Sequence, residues 1–282
     1  MTQLTVVIPA HNEEALIAAT LRRLLDAADA LDVIVVANGC TDRTAQRARE
    51  VGGPIRVLEI PEASKIAALN AAHDLIRVYP VVYVDADVSV TGSDLLSLAD
   101  GLHAQNALVA APRMTVQPSS SWWVRQHYAV WELTDYRATG HIGSGIYMLS
   151  SDGRARFADF PPVIADDLFV QRLFTPPERY TPDDVFFSVA SPGSLSALVK
   201  RNTRIAAGNK QLALHYPEMA PPVARVGART LARRVWRRPQ LWLGFAGYTA
   251  VHTITRRRAA RLLRAEREIA WNRDETSRQA MP

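Results

Sequence analysis

The first 105 residues alternate between short apolar runs and amphipathic stretches, and no other feature constrains the fold as strongly. Residues 4–9, LTVVIP, are apolar and β-branched and end at Pro9, as expected for a buried strand. Residues 11–28 then show apolar side chains at helical spacing, with Asn12 positioned to cap the helix. The scheme repeats in DVIVVANG with TDRTAQRAREVG and in IRVLEIP with KIAALNAAHDLI, before a fourth strand, VVYVDADVSV. This series predicts a mostly parallel α/β sheet with ligands at the carboxyl ends of its strands.

Beyond residue 105 the alternation is less regular. We expect one strand in ALVAAPRMTV, a helix in SSSWWVRQHYAVWELTDY, and a glycine-rich loop before a strand in GHIGSGIYMLSS. A turn feeding a helix follows in FPPVIADDLFVQRLF, then a short strand in PERYTPDDVFFSVASP and a loop with a helix in VKRNTRIAAGNKQL. The proline-rich break near residue 221 marks a boundary. We therefore expect a catalytic domain over 1–220, with halves 1–105 and 106–220, and a helical tail over 221–282.

The charge is divided unevenly along the chain. From Arg225 to the end there are 14 arginines and 4 acidic residues, whereas the first 224 residues carry 19 basic and 24 acidic residues. The apolar stretch 241–255 is shorter than the roughly 18 to 20 residues that span a bilayer. Arginines and tryptophans around it fit peripheral membrane contact through residues 225–267, and an ordinary packed helical hairpin fits equally well. No nucleic-acid-binding motif accompanies the arginines, so nucleic acid is not expected.

Cysteine usage and the N-terminus bear on location. Cys40 is the single cysteine, which excludes an intrachain disulfide and fits a reducing compartment. The N-terminal sequence MTQLTVVIPAHNEE has neither a basic region nor a long apolar region, so we expect no secretory signal. The expected location is cytoplasmic, with peripheral contact at the inner face of a membrane if the tail binds lipid.

Asp85 and Asp87 stand two residues apart where the fourth strand ends. Paired carboxylate oxygens suit Mg2+ or Mn2+, and such an ion bridges to substrate phosphates. Two solvated turn aspartates, or a helix cap, would give the same pattern. Their place at the end of a strand in an α/β series favours the metal site.

In order and spacing, TVVIPAHNEE, VIVVANGCTDRTAQRA, KIAALNAAHDLI and VVYVDAD resemble the donor-binding half of family 2 glycosyltransferases of the GT-A fold. The resemblance implies a nucleotide-sugar donor, UDP- or GDP-linked, and a Mg2+ or Mn2+ cofactor. Ala37 and Asn38 stand where the family usually has two aspartates before a glycine, which leaves the base open. The resemblance implies a donor site made of the following residues: Pro9, His11, Asn12, Glu13, Asn38, Gly39, Asp42, Lys65, Asp85 and Ala86.

The same resemblance extends more loosely to the second half. Asp166 and Asp167 resemble the acidic pair at the acceptor site of inverting members, where a carboxylate acts as general base, and Asp167 is favoured. An N-terminal helix cap explains the pair nearly as well. The resemblance adds Gly143, Ser144 and Gly145 as a loop near the donor sugar, Arg201 and Arg204 as contacts of the leaving diphosphate, and His215 as an extra metal ligand.

These assignments predict an inverting enzyme that moves one sugar to a hydroxyl of a sugar or lipid-linked acceptor. The lack of spanning helices and of the family's Gln-x-x-Arg-Trp segment argues against a processive polymerase. Two rivals remain open. A sugar-phosphate nucleotidyltransferase would normally carry a glycine-rich basic loop after the first strand, which PAHNEE lacks. A non-catalytic scaffold that binds a nucleotide or a membrane would be consistent with the altered turn at Ala37.

Overall fold

The computed structural model describes residues 3–134, 142–219 and 227–264. The chain forms two compact units. The first comprises Met1–Thr115, Ile142–Pro162 and Asp166–Val189. The second comprises Val116–His141, Val163–Ala165 and Ala190–Pro282. The predicted boundary near residue 221 lies outside the described residues.

The strands of the described residues are β1 (Leu4–Ala10), β2 (Leu31–Asn38), β3 (Ile55–Ile60), β4 (Val81–Val84), β5 (Val88–Ser89), β6 (Val109–Ala110), β7 (Arg113–Val116), β8 (Ile146–Leu149), β9 (Arg179–Tyr180) and β10 (Phe186–Val189). They form a seven-stranded sheet in the order β3-β2-β1-β4-β8-β6-β9 and a three-stranded sheet in the order β5-β10-β7. The pairs β1–β2, β2–β3, β1–β4 and β6–β9 are parallel, while β8 runs antiparallel to β4 and β6. The mostly parallel sheet expected from the alternation is therefore confirmed.

Helices connect and flank these strands, because each amphipathic stretch buries its apolar side against the sheet. On the first helix, Ile17, Leu21 and Leu24 are fully buried, and the apolar side chains of β1 and β2 are buried as well. The helices of the first unit are α1 (Ile17–Leu24), α2 (Thr44–Val51), α3 (Lys65–Ala71), α4 (Gly92–Ala104), α6 (Ser151–Arg154) and α7 (Asp166–Leu173). Short 3-10 helices lie at Leu25–Ala30, His73–Leu75 and Pro176–Glu178.

The second unit is helical in its described part. It contains α5 (Trp122–Trp131), α8 (Leu195–His215), α9 (Ala228–Trp236) and α10 (Trp242–Arg264), with 3-10 helices at Glu132–Thr134 and Pro239–Leu241. Helix α10 packs against α5 and α8. Val251 of α10 joins a core with Val124, Leu198 and Val199. The described part of the tail, residues 227–264, thus forms packed helices, as the hairpin alternative expects.

No helix in the described ranges, 3–134, 142–219 and 227–264, is long and apolar enough to cross a membrane.

Three local expectations are wrong. Asn12 does not cap α1, whose N-cap is Leu16 and lacks a side-chain cap; Asn12 instead has a positive φ of 51°. The segment ALVAAPRMTV forms two strands in different sheets rather than one: Ala111 and Pro112 lie between them in neither strand, and Pro112 has no backbone N–H to donate to a ladder. The segment VKRNTRIAAGNKQL is helical throughout rather than a loop and a helix, since α8 starts at Leu195 with the Ser194 hydroxyl accepting from the Ala197 amide.

Candidate active site

The predicted carboxylates meet because β8 runs antiparallel to β4. Val84, the last residue of β4, pairs with Ile146, the first residue of β8. The residues just beyond each strand are therefore neighbours, and the Asp85 amide donates to the Gly145 carbonyl at 2.8 Å. This places the aspartate turn and the glycine-rich loop side by side at one end of the sheet, where β4 ends and β8 begins.

The turn Asp85-Ala86-Asp87 presents its two carboxylates differently. Ala86 is buried, and its carbonyl accepts from the Thr20 hydroxyl of α1 at 2.8 Å. Asp87 is exposed and makes no hydrogen bond or ion pair with the described residues. Asp85 keeps 34% of its side-chain surface exposed. The Asp85 carboxylate is thus mostly covered by protein, whereas the Asp87 carboxylate is open to solvent.

Lys65 joins the two acidic groups of the site. It is the first residue of α3, fixed by a cap in which the Ser64 hydroxyl accepts from the Ala67 amide. Its Nζ lies 2.7 Å from Asp85 Oδ1 and 2.9 Å from Asp166 Oδ1. The lysine predicted to contact an anionic donor therefore also connects the aspartate turn with the predicted catalytic pair.

Asp166 and Asp167, the first two residues of α7, occupy different environments. Asp166 is 3% exposed, and its second oxygen accepts from the Tyr147 hydroxyl at 3.1 Å. Asp167 is half-buried; its Oδ2 accepts from the Ser144 amide at 2.9 Å and its Oδ1 from the Leu168 amide at 2.7 Å. A carboxylate has about four lone-pair sites, so Asp167 retains acceptor capacity. Asp166 is enclosed between Lys65 and Tyr147, while Asp167 can meet a ligand.

Burial and charge shift the protonation of this cluster. Burial alone would lower the pKa of Lys65, but the charges of Asp166 and Asp85 outweigh it and raise that pKa. Burial raises the pKa of Asp85 to about 6 despite the attraction of Lys65. Burial and the neighbouring Asp166 charge raise the pKa of Asp167. A raised carboxyl pKa in a cluster of charged groups is typical of functional sites.

The loop Gly143-Ser144-Gly145 touches both carboxylates. Its residues have φ values of 117°, 69° and 95°, the left-handed region that favours glycine. A Cβ on Gly143 would lie 2.7 Å from the Asp167 Cβ, and one on Gly145 would lie 3.2 Å from Asp85 Oδ2. The glycines are thus needed for close approach as well as for conformation.

The residues predicted to bind the nucleoside lie in the first two strand-to-helix turns. Hydrogen bonds join these two turns to each other. Asn12 Oδ1 accepts from the Thr41 amide at 2.7 Å, and His11 Nδ1 lies 2.5 Å from the Asn38 carbonyl oxygen. Asp42 Oδ2 accepts from the Glu14 amide at 3.2 Å. The two turns therefore support each other as a pair.

Further contacts fix this pair of turns. The Glu13 amide donates to the Thr44 hydroxyl at 2.6 Å. Pro9 lies inside β1, opposite Val36, rather than at the strand end, which is Ala10. Gly39 has a φ of 57°, and a Cβ there would lie 2.7 Å from the backbone of Ala63.

A cavity of about 400 Å³ opens beside these turns. Asn38 is fully buried, and within the described residues neither its amide nitrogen nor its amide oxygen has a hydrogen-bond partner. The cavity is lined by Ala37, Gly39, Cys40, Thr41, Glu59, Ile60 and Pro61.

Three predicted residues lie on α8 in the second unit. Arg201 Nη1 donates to the Ala190 carbonyl at 3.3 Å, and Arg204 is half-buried. His215 is the exposed last residue of the helix. No group of three or more His, Cys, Asp or Glu side chains in the described part of the chain is arranged to hold a metal. The roles of these three residues stay predictions.

Sequence reasoning missed several residues that shape the site. Thr20, Tyr147 and Glu59 belong to elements that were predicted, but their contacts join positions far apart in the chain. Tyr147 carried one usable signal, an aromatic hydroxyl within a buried strand. Such a hydroxyl usually finds a partner when it is buried.

The class of fold is shown by the similarity of this chain to solved structures. The mannosyltransferase PcManGT from Pyrobaculum calidifontis, in complex with GDP-Man and Mn2+, matches with a TM-score of 0.61 at 21% identity, covering 93% of this chain and 79% of that one. Glucosyl-3-phosphoglycerate synthase from Mycobacterium tuberculosis, in complex with Mn2+, UDP-glucose and phosphoglyceric acid, matches at 0.56 and 17%, covering 78% and 81%. TarS 1-349 from S. aureus matches at 0.52 and 15%, covering 75% and 66%. The fold is of the GT-A type.

The family follows from sequence. The model of glycosyl transferase family 2 matches residues 5–159, more than half of the chain. This chain belongs to that family, and the resemblance noted in its four motifs is confirmed. Among curated proteins, no significant sequence match is found.

Proposed function

We propose that this chain is an inverting glycosyltransferase that moves one sugar from a UDP- or GDP-linked donor to an acceptor hydroxyl. The observation that carries the proposal is the cluster in which Lys65 joins Asp85 to Asp166, with Asp167 alongside. It combines a carboxylate turn suited to a metal–diphosphate with a second carboxylate that has room for a ligand. Membership of glycosyl transferase family 2 supports the reaction class.

Asp167 is the proposed general base. Its carboxylate takes the proton of the acceptor hydroxyl as the hydroxyl oxygen forms a bond to the anomeric carbon. The bond from that carbon to the donor phosphate oxygen breaks, and the electron pair leaves with the nucleoside diphosphate. Attack opposite the leaving group inverts the anomeric centre. Asp166 is a positioning residue, because Lys65 and Tyr147 hold both of its oxygens.

The residues present fit a divalent cation. Asp85 and Asp87 supply hard oxygen ligands, and the exposed Asp87 carboxylate makes no hydrogen bond or ion pair within the described ranges. Mg2+ is commonly held by one or two carboxylates together with substrate phosphates, so two protein ligands suffice. Bound there, Mg2+ or Mn2+ would stabilise charge on the departing diphosphate. Structural relatives solved in complex with Mn2+ support this choice.

The nucleoside is proposed to occupy the cavity beside the first two turns. Ala37 leaves room in its wall where family members usually have a carboxylate, and Glu59 provides a carboxylate from β3. Glu59 also pairs with Arg49, so this edge offers both a hydrogen-bond acceptor and a donor to a base. Ser144 and its neighbouring glycines are the proposed contacts of the donor sugar. Arg201 and Arg204 remain the proposed contacts of the leaving diphosphate, and His215 the proposed additional ligand.

The acceptor is proposed to be a sugar or a lipid-linked sugar. Structural relatives include an enzyme whose complex contains phosphoglyceric acid, which makes a small phosphorylated hydroxyl compound a second acceptor class to test. The half-buried position of Asp167 is compatible with either class.

Turnover of a donor panel tests the reaction class. Purified protein is incubated with UDP- and GDP-sugars and Mn2+, and release of the nucleoside diphosphate is measured with and without acceptors. We expect metal-dependent release from at least one donor. Release of pyrophosphate from a nucleoside triphosphate and a sugar phosphate would instead indicate a nucleotidyltransferase. Nucleotide binding without turnover across the panel would indicate a scaffold.

Substitution of the base tests the mechanism. Asp167→Asn should lower the transfer rate by about 10² to 10⁴, since general-base catalysis contributes that much, and should leave donor affinity unchanged. The matched control is Asp159→Asn, which changes an exposed aspartate of the same unit. Single-turnover rates and calorimetric donor titrations separate the two effects. A fully active Asp167→Asn protein would remove Asp167 as the base.

A further inference from the structure

Helix α9 displays two different faces. Leu231 and Val235 are buried in a core with Val130 and Leu241. The opposite side carries exposed residues at positions 229, 233, 236 and 237, a spacing that places them on one helical face. We define the tryptophan–arginine face as this side of α9 with the start of α10, made up of Arg229, Arg233, Trp236, Arg237, Trp242 and Leu243.

The apolar part of this face consists of two tryptophans and a leucine. Trp236 and Trp242 are stacked, with ring centroids 5.2 Å apart and planes inclined by 22°. They are 72% and 48% exposed, and the neighbouring Leu243 is 68% exposed. Large apolar side chains grouped at a surface mark an interaction site more often than scattered ones do. The core beneath α9 fixes their position.

The charged side chains around the face are all basic. Residues 227–264 contain ten arginines and no acidic residue. Arg229, Arg233 and Arg237 are exposed and form no ion pair with the described residues. Exposed arginines beside exposed tryptophans favour a partner that is anionic and also accepts apolar side chains.

We propose that the tryptophan–arginine face docks onto an anionic lipid bilayer. The indole rings and Leu243 would enter the boundary between headgroups and acyl chains, while the arginines contact lipid phosphates and carboxylates. Tryptophan favours this boundary because its ring is apolar and its N–H is polar. Arginine extends its apolar stem along the surface and keeps its charge in the headgroup layer.

A lipid surface explains the face better than a nucleic acid does. Nucleic acid would use the arginines and could stack on the rings, but it offers no apolar layer for Leu243. A bilayer satisfies both chemistries. This surface is separate from the proposed reaction, since it needs neither donor nor metal.

Flotation of the full-length protein with lipid vesicles tests the proposal. We expect binding to phosphatidylcholine vesicles that contain phosphatidylserine, little binding to phosphatidylcholine alone, and weaker binding at high salt. Arg233→Glu/Arg237→Glu should weaken binding at least about tenfold, because each basic residue near an anionic surface contributes roughly fivefold. Trp236→Ala/Trp242→Ala should also weaken binding at least about tenfold, through lost apolar burial.

Each variant has a matched control. Arg22→Glu/Arg77→Glu makes the same change in net charge at exposed arginines of the first unit. Trp122→Ala/Trp123→Ala removes a tryptophan pair that is 42% and 47% exposed. Both controls should bind vesicles like the unchanged protein. Circular dichroism melts verify that every variant is folded, and a blue shift of tryptophan fluorescence on vesicle addition should be smallest in Trp236→Ala/Trp242→Ala.

Several results would overturn the proposal. The folded protein could fail to bind phosphatidylserine vesicles, or each variant could bind as well as its control. Binding to single-stranded RNA with no binding to vesicles would identify the face as a nucleic-acid surface instead. Equal loss in the variants and their controls would show that overall charge and exposed tryptophan, rather than this face, govern binding.

Discussion

Lys65 contributes one positive charge to two carboxylates that lie on different segments of the first unit. A ligand that neutralises the Asp85 carboxylate therefore changes how strongly Lys65 pairs with Asp166. The aspartate turn and the start of α7 are linked through this one ammonium group. Lys65 is only 18% exposed at its side chain, so water cannot easily replace it.

Replacing this lysine should weaken both folding and donor binding. Lys65→Met should lower the free energy of unfolding by about 3 to 5 kcal/mol, because it leaves Asp166 as a buried and uncompensated charge. Lys65→Met/Asp166→Asn should recover part of that loss. Urea denaturation measures the stabilities, and Lys210→Met, at an exposed lysine of α8, is the control. Equal stability of Lys65→Met and the unchanged protein would mean that the pairing contributes nothing.

The loop Gly143-Ser144-Gly145 is the element that fixes the distance between the aspartate turn and the proposed base. It donates one backbone hydrogen bond to Asp167 and accepts one from Asp85. A left-handed backbone costs an L-residue with a Cβ about 1 to 2 kcal/mol, so glycine keeps this geometry without strain. The loop is therefore sensitive to a single methyl group.

Gly143→Ala tests that sensitivity. It should reduce the transfer rate strongly, because the added Cβ would lie 2.7 Å from the Asp167 side chain. Gly52→Ala is a close control: Gly52 has a φ of +73° and open space where a Cβ would be. In both variants an alanine must adopt a positive φ, but only the alanine at position 143 crowds Asp167. If both lose the same rate, crowding of Asp167 is not the cause.

The elements that sequence predicted best are those with strong local patterns. Strands β1 and β2 were expected because each is a run of apolar, β-branched residues followed by helical spacing. Helix α8 starts earlier than the sequence predicts, since VKRNTRIAAGNKQL alone predicts a loop before a helix. The burial of Leu198 and Val199 against α10 overrides that local polarity. Tertiary packing, which a single sequence does not display, decided this element.

At the scale of the whole molecule, activity should depend on pH through the clustered carboxyl groups. The base must be ionised to accept a proton, and its pKa is raised by burial and by Asp166. The transfer rate should therefore fall as pH decreases, starting above the usual aspartate pKa of about 4. Metal-dependent donor affinity should fall below about pH 6, where Asp85 gains its proton.

Two measurements separate these effects. The saturated rate as a function of pH reports the base, and calorimetric donor binding with Mn2+ reports Asp85. Asp159→Asn should leave both profiles unchanged. A donor affinity that stays constant down to pH 5, or a rate that falls only at or below the usual aspartate pKa of about 4, would contradict the raised pKa values.

The sequence predicts which residues belong to the proposed site, but it does not predict which of them contact each other. The four motifs supplied Asp85, Lys65 and Asp167 as candidates because each follows or precedes a recognisable element. That Lys65 also contacts Asp166 could not be predicted, since the contact spans about a hundred residues. The different environments of Asp166 and Asp167 likewise depend on Tyr147 and Ser144, which adjacent sequence does not reveal.

The hydrogen bonds between the first two strand-to-helix turns have a consequence for engineering. Asn12 holds the amide of Thr41, and Asp42 holds the amide of Glu14, so each turn is shaped by the other. A chimaera that imports only one turn from a related enzyme would lose reciprocal contacts on both sides. Donor preference in this chain should therefore be transplanted as a two-turn module, with residues 10–14 and 38–44 exchanged together.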